Sequence, residues 1–228
     1  MAQRKAALPH YPNSPTAVEV LQRLRAFYGP ITWRPRMEAL EELVFTILTQ
    51  HTSDVNASKA FQRLKSRFPR WEALLYAPLE EIEEAIRPAG LSRQKAPRIQ
   101  QALHTILERR GDLGLDFLKD VPLKDAKAWL RSLPGVGPKT AAIVLCFALG
   151  RPAMPVDTHV YRVARRLGIL SPRDNAEKAH DLLEQAVPPE EVYPFHIYLI
   201  THGRRVCKAQ RPRCGECILR DICPSRQE

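Results

Sequence analysis

The stretch from Leu133 to Leu149 places the tightest constraint on the fold. Thr140-Ala-Ala-Ile-Val-Leu-Cys-Phe-Ala-Leu149 is apolar almost all round, so a helix built from it has little to offer water and belongs in an interior. Ahead of it stands Leu133-Pro-Gly-Val-Gly-Pro-Lys-Thr140. Pro134-Gly135 is a turn dipeptide, and Gly137 accepts the conformation that ends one element and opens the next. Pro138 suits a first helical position, where its missing N–H has no partner to lose. The expected pattern is a tight turn, a buried helix, then Val156-Asp157-Thr158-His159 opening a further helix along Val160, Val163, Ala164 and Leu167.

This pattern has chemical consequences. A glycine-rich hairpin running into a helix leaves backbone N–H groups pointing outward at the positive end of the helix dipole, which is a ready site for phosphate. Lys139 stands at that helix start. The dipole disfavours an ammonium there, and so would partial burial; an amine kept neutral is a nucleophile able to form a Schiff base with a sugar aldehyde. Taken singly, Lys139 reads as a surface cation and Asp157 as a helix cap.

The rest of the chain is helical in pattern. No alternation of period two is long enough for a strand. Apolar residues recur at helical spacing in Val18, Leu21 and Leu24, in Leu40, Leu43, Val44, Ile47 and Leu48, and in Ile99, Leu103, Ile106 and Leu107. Ser14-Pro15 is expected to open the first helix and Tyr28-Gly29-Pro30 to end it. Asp54 is expected to cap the helix carrying Ala60, Phe61 and Leu64. Prolines 69, 78 and 88 punctuate two short helices, and helices near 175–186 and 190–202 lead into the cysteines. Residues 1–13 read as a loose tail.

With 228 residues, 44% hydrophobic, the chain has the composition of an ordinary soluble globule of one large or two small domains. Its formal charge of +10 favours a polyanionic partner, nucleic acid first. No apolar run follows the basic start Met1-Ala-Gln-Arg-Lys5, and none approaches the ~20 residues of a membrane span. A soluble, cytoplasmic protein is expected, without membrane partners and nucleoid-associated if bacterial. Four of the five cysteines fall in the spacing Cys207-x6-Cys214-x2-Cys217-x5-Cys223. Four thiolates so close suit one metal centre, and ligand type alone leaves zinc and an iron–sulfur cluster both open. Cys146, inside the apolar helix, reads as core.

Leu133–Thr140 with Val156–His159 resembles the helix-hairpin-helix and Gly-Pro-Asp loop of the endonuclease III family of DNA glycosylases. The cysteine spacing and its leader His202-Gly203-Arg-Arg-Val-Cys207 are similar to that family's [4Fe-4S] loop, and Gly90-Leu91 with Lys95-Ala96 to its wedge loop. The resemblance implies Lys139 and Asp157 as catalytic residues and Cys207, Cys214, Cys217 and Cys223 as cluster ligands. It implies hairpin contacts to DNA phosphate at Gly135, Val136, Gly137 and Thr140. Lys208, Arg211 and Arg213, clustered between Cys207 and Cys214, read equally as further phosphate contacts or as a solvated loop. Gln50, His51 and Leu91 would enter the gap left by an extruded base. Two departures stand out: Pro138 replaces a usual basic residue, and His51 falls where glutamine is usual, with Gln50 one place earlier.

The implied fold is all-α and in two parts. A six-helix barrel over 33–150 ends in the hairpin, and a cluster domain joins 14–32 to 151–228. Damaged duplex DNA would lie in the groove between them, with Lys139 opposite Asp157 in a monomer. The implied activity is a bifunctional glycosylase/lyase that removes oxidised pyrimidines and nicks the strand by β-elimination. Rival readings are a monofunctional adenine or thymine glycosylase, against which Lys139 argues, an 8-oxoguanine glycosylase/lyase, and a non-catalytic DNA-binding module.

Overall fold

A computed structural model describes residues 14–227; the tail expected over residues 1–13 lies outside them. Among the described residues all regular structure is helical. The α-helices are α1 (Ala17–Tyr28), α2 (Ala39–Thr49), α3 (Asp54–Arg67), α4 (Trp71–Tyr76), α5 (Leu79–Ile86), α6 (Ser92–Arg110), α7 (Leu123–Arg131), α8 (Pro138–Ile143), α9 (Thr158–Arg166), α10 (Ala176–Gln185) and α11 (Val192–Arg205). Two compact units result: Arg34–Arg151, and the described residues up to Trp33 together with those from Pro152 onward.

The Arg34–Arg151 unit is built round α2. Leu40, Leu43, Val44, Ile47 and Leu48 are all buried, and α2 packs on α3, α6 and α8. The apolar run after the hairpin is interior, as its composition demands, yet it is not one regular helix. α8 ends at Ile143, and Val144–Ala148 form a π-turn. The α2 residue Glu42 is wholly buried and accepts from Arg36 Nε at 2.9 Å and from Thr46 Oγ1 at 3.1 Å. The Arg36 guanidinium lies 5.2 Å from the Phe45 ring and 5.0 Å from that of Phe147. One cation thus neutralises a buried carboxylate and ties α2 to the π-turn behind the hairpin.

In the other unit, α1, α9, α10 and α11 share a core that includes Leu24, Val160, Val163, Leu183, Phe195 and Leu199. α9 and α11 meet at Gly203, where a Cβ would come within 3.0 Å of His159 Cβ and 3.1 Å of Val163 Cγ2. Only glycine permits that approach without a shift.

Two local expectations are corrected and one helix is added. α1 is capped by Thr16, whose Oγ1 accepts from Glu19 N at 3.1 Å, not by Ser14. α3 is capped by Ser53, which accepts from Asn56 N at 3.2 Å, and Asp54 is the first helical residue instead. α7, the helix leading into the hairpin, had no clear sequence signal because only Ala126 and Leu130 of its nine residues are buried.

Replacing Arg36 by Ala strands a buried carboxylate. A loss of about 3 kcal/mol in unfolding free energy is expected, measured by urea denaturation; a loss below about 1 kcal/mol would place this pair among ordinary surface ion pairs.

Candidate active site and cluster loop

The hairpin is built from the end of α7. Leu133 N donates to Leu130 O at 3.1 Å and Val136 N to Leu133 O at 3.2 Å. Gly135 takes φ +77°, a left-handed conformation that favours glycine. Gly137 is the N-cap residue of α8 and Pro138 its first residue. Val136 and Thr140 are buried, whereas Gly137 and Lys139 are exposed. The hairpin therefore presents main chain and the Lys139 side chain, while the side chains of Val136 and Thr140 face inward.

The two loops beside the hairpin differ in what they offer. Gln50 Nε2 donates to Gly135 O at 3.1 Å and to Thr140 Oγ1 at 3.4 Å. Its side chain thus braces the hairpin. His51, next in the chain, is exposed at φ +54°, and Leu91 is 47% exposed at φ +50°. Both are non-glycine residues held in a left-handed conformation, a strain that surrounding structure must sustain.

Asp157 is the N-cap of α9, and its Oδ1 accepts from Val160 N at 2.7 Å. It is half-buried. The segment before it has no regular structure but is firmly held. The carbonyls of Met154 and Pro155 can only accept, so Nδ1 of His180 (2.7 Å) and Nδ1 of His196 (2.9 Å) carry the protons. Glu184 Oε2 accepts from Met154 N at 3.1 Å. His196 is buried in this role, as its apolar neighbours predict.

The four C-terminal cysteines are free thiols lining one cavity with Val163, Leu167 and Leu219 as apolar walls. Burial pushes the Cys217 and Cys223 thiols up, and the charges of the other cysteines in the group push them further, so the four sulfurs lie within electrostatic reach of one another. Among the described residues no set of three His, Cys, Asp or Glu side chains is arranged to hold a single metal ion. The loop is strapped to α9. Arg162 Nε donates to Cys207 O at 3.0 Å and its Nη2 to Gly203 O at 2.8 Å. Arg166 donates to Lys208 O at 2.7 Å, to Ala209 O at 2.9 Å and to Cys207 Sγ at 3.4 Å. Lys208, Arg211 and Arg213 are exposed, although Arg213 pairs with Glu216.

Comparison with known proteins decides the family. The profile of the HhH-GPD superfamily of base excision DNA repair proteins matches residues 44–189, well over half the chain. That of the iron–sulfur binding domain of endonuclease III matches 207–223. Endonuclease III of Synechocystis sp. is 38% identical over 213 residues, covering 92% of this chain and 93% of its own. Endonuclease III of Escherichia coli K12 is 34% identical over 95% of this chain and 98% of its own. A solved non-covalent endonuclease III–DNA complex superposes with a TM-score of 0.77 at 32% identity, covering 92% of this chain and 96% of that one.

The chain belongs to the endonuclease III family. It is a DNA glycosylase/AP lyase of the endonuclease III type, acting on oxidised bases in duplex DNA, with an iron–sulfur binding domain at its C-terminal end. The all-α, two-part architecture is that of the family. No helix among the described residues is long and apolar enough to cross a membrane.

Several members of the site were missed by sequence reasoning. His202 is buried beside the cluster loop, its Nε2 3.4 Å from Cys217 Sγ and its Nδ1 3.2 Å from Tyr28 Oη. Desolvation lowers its pKa to about 4, so it is a neutral ring at physiological pH. Arg162 and Arg166, four apart on one face of α9, carried a detectable signal in their spacing. Their acceptors are main-chain carbonyls more than forty residues away, which no spacing discloses.

Arg166→Met removes two main-chain links and one sulfur contact. The variant is expected to retain less iron per chain than the unaltered protein and to be cleaved faster by trypsin at Lys208. Iron content and cleavage rate both equal to the unaltered protein would refute the strapping role.

Proposed function

We propose that the enzyme removes oxidised pyrimidines from duplex DNA with Lys139 as nucleophile and Asp157 as its acid–base partner. The observation that carries this reading is the exposure pattern of the hairpin. Val136 and Thr140 turn inward while Lys139 projects from the first turn of α8, so the one reactive side chain offered there is an amine. The hairpin main chain at Gly135 and Gly137 would approach a DNA phosphate, as helix starts do. Lys208 and Arg211, both exposed, would add salt-sensitive phosphate contacts.

In the proposed sequence the neutral Lys139 amine attacks C1′. The electron pair of the glycosidic bond leaves with the base, which takes up a proton. The Asp157 carboxylate accepts the proton released by the attacking amine and balances positive charge on the sugar. Opening of the C1′–O4′ bond, with a proton going to O4′, gives an imine between lysine and sugar. Loss of a proton from C2′ forms the C2′–C3′ double bond and expels the 3′ phosphate. Water then hydrolyses the imine and frees Lys139. Asp157 suits its part because its Oδ1 is fixed by Val160 N and the preceding segment is held by His180 and His196.

The iron–sulfur group is a [4Fe-4S] cluster held by Cys207, Cys214, Cys217 and Cys223. Four cysteines sharing one apolar-walled cavity, with Arg166 donating to a ligand sulfur, fit such a group. When bound it supplies structural support to the loop bearing Lys208 and Arg211. The protein acts as a monomer in the cytoplasm. Zinc in place of iron and sulfide after anaerobic purification would overturn the cofactor assignment.

Single-turnover assays on a duplex with one thymine glycol test the reaction. The unaltered enzyme is expected to release the base and leave an unsaturated sugar on the 3′ end of the nick. Lys139→Gln is expected to lose nicking by roughly 10³-fold or more, and Asp157→Asn to slow it by about 10²–10⁴-fold. Full activity of Lys139→Gln would leave the hairpin with binding alone. An enzyme inactive on thymine glycol but active on 8-oxoguanine would move the substrate to purines.

A further inference from the structure

Lys95 is a lysine that has no business in a protein interior unless it does something there. It is 1% exposed, and its ammonium donates to two main-chain carbonyls. Lysine is almost never so buried without a partner that justifies it. Nζ donates to Leu48 O at 2.8 Å and to Ala89 O at 2.8 Å. Leu48 lies in the last turn of α2, where carbonyls lack helical partners and the dipole favours a cation. Ala89 closes the 3-10 turn that leads directly into Gly90-Leu91. Leu91 itself is the N-cap residue of α6, and its carbonyl accepts the first main-chain bonds of that helix, from Gln94 N and Lys95 N, both at 2.9 Å.

The two carbonyls stand three and two residues before the non-glycine residues that this unit holds in a left-handed conformation, His51 and Leu91. The exposed Leu91 side chain has little packing to hold it in that conformation. Its main chain is held on one side by the first turn of α6 and on the other by the turn ending at Ala89, whose carbonyl Lys95 Nζ holds. From Leu48 the path continues: Gln50, two residues on, donates to Gly135 O and Thr140 Oγ1. A run of hydrogen bonds through Lys95, the end of α2 and Gln50 therefore joins the Leu91 turn to the start of the helix that bears Lys139.

We propose that Lys95 is a positioning residue for base extrusion, fixing the Leu91 wedge relative to Lys139 by clamping the Ala89 turn to the C-terminal end of α2. This rests on the reading of Leu91 as the side chain that enters the duplex. Lys95 does not touch DNA. Its contribution is to keep an exposed leucine in a strained conformation at a fixed distance from the nucleophile, where a displacement of about 1 Å costs up to ~10²-fold in rate.

The test is a double-mutant cycle of Leu91→Ala and Lys95→Met in the full-length holoenzyme. Extrusion is read from the fluorescence of 2-aminopurine placed opposite thymine glycol, and chemistry from single-turnover base release. Lys95→Met alone is expected to lose the fluorescence rise and to slow base release by about tenfold or more. In the Leu91→Ala background the same change should add little, because the residue it positions is gone. Lys95→Arg, which keeps a charged donor with several N–H groups, should restore most of the signal. Equal losses from Lys95→Met in both backgrounds would show a general structural role and overturn the proposal. An unaltered fluorescence rise in Lys95→Met, with Leu91→Ala abolishing it, would also overturn it while leaving the wedge intact. A rise that survives Leu91→Ala would instead remove the wedge reading, and with it the basis of this proposal. Thermal melts accompany each variant; if Lys95→Met fails to fold, Lys95→Gln, which keeps one donor for one carbonyl, takes its place in the cycle.

Discussion

The structure depends on long polar side chains donating to main-chain carbonyls at helix ends and loops. Helices of six to nineteen residues end often, and each end leaves carbonyls that the helix cannot satisfy. In a sheet protein a neighbouring strand would take them. Here side chains do so: Arg151 serves the carbonyls of Leu118, Lys119 and Val121, Gln100 those of Leu74 and Ala77, and Lys95 those of Leu48 and Ala89. A charged donor to a carbonyl is a strong bond, and a buried carbonyl without one is costly. The high cation count thus has a structural share as well as an electrostatic one.

Bonds of this kind hold the segments to which the proposed chemistry is assigned. The hairpin is braced by Gln50, the turn before Asp157 by His180 and His196, and the cysteine loop by Arg162 and Arg166. These segments have little regular structure of their own to hold them. Firm support within each unit suits a base-excision enzyme, since extrusion of a base sets tight limits on where the nucleophile stands.

Much of this was legible in the residues. The all-round apolar run after Lys139 demanded an interior position, and the structure buries it. Asp157 was readable as a helix cap from its place before Val160 and Val163, and it is one, whatever chemistry it also performs. What could not be read has a common physical reason. Lys95, Arg166 and His202 owe their roles to main-chain atoms or ring contacts far away in sequence, and a carbonyl has no residue type to betray it. Ser53 displaced Asp54 as a cap because the two are adjacent and equally suited, so that one residue of register decided between them. The family resemblance gives Val136 and Thr140 as phosphate contacts without saying which atoms they offer; their side chains turn inward, which leaves main chain for that part. The π-turn at Val144–Ala148 left no trace in the hydrophobic pattern, since a segment buried on most sides shows no periodicity to be broken.

On the proposed mechanism one amine, Lys139, meets the damaged nucleotide. The decisive experiment reduces the enzyme–DNA intermediate with borohydride on a thymine glycol duplex, then digests and sequences the cross-linked peptide by mass spectrometry. The sugar remnant is expected on Lys139. A remnant on another lysine or on the N-terminal amine would contradict it, as would base release with no cross-link at all.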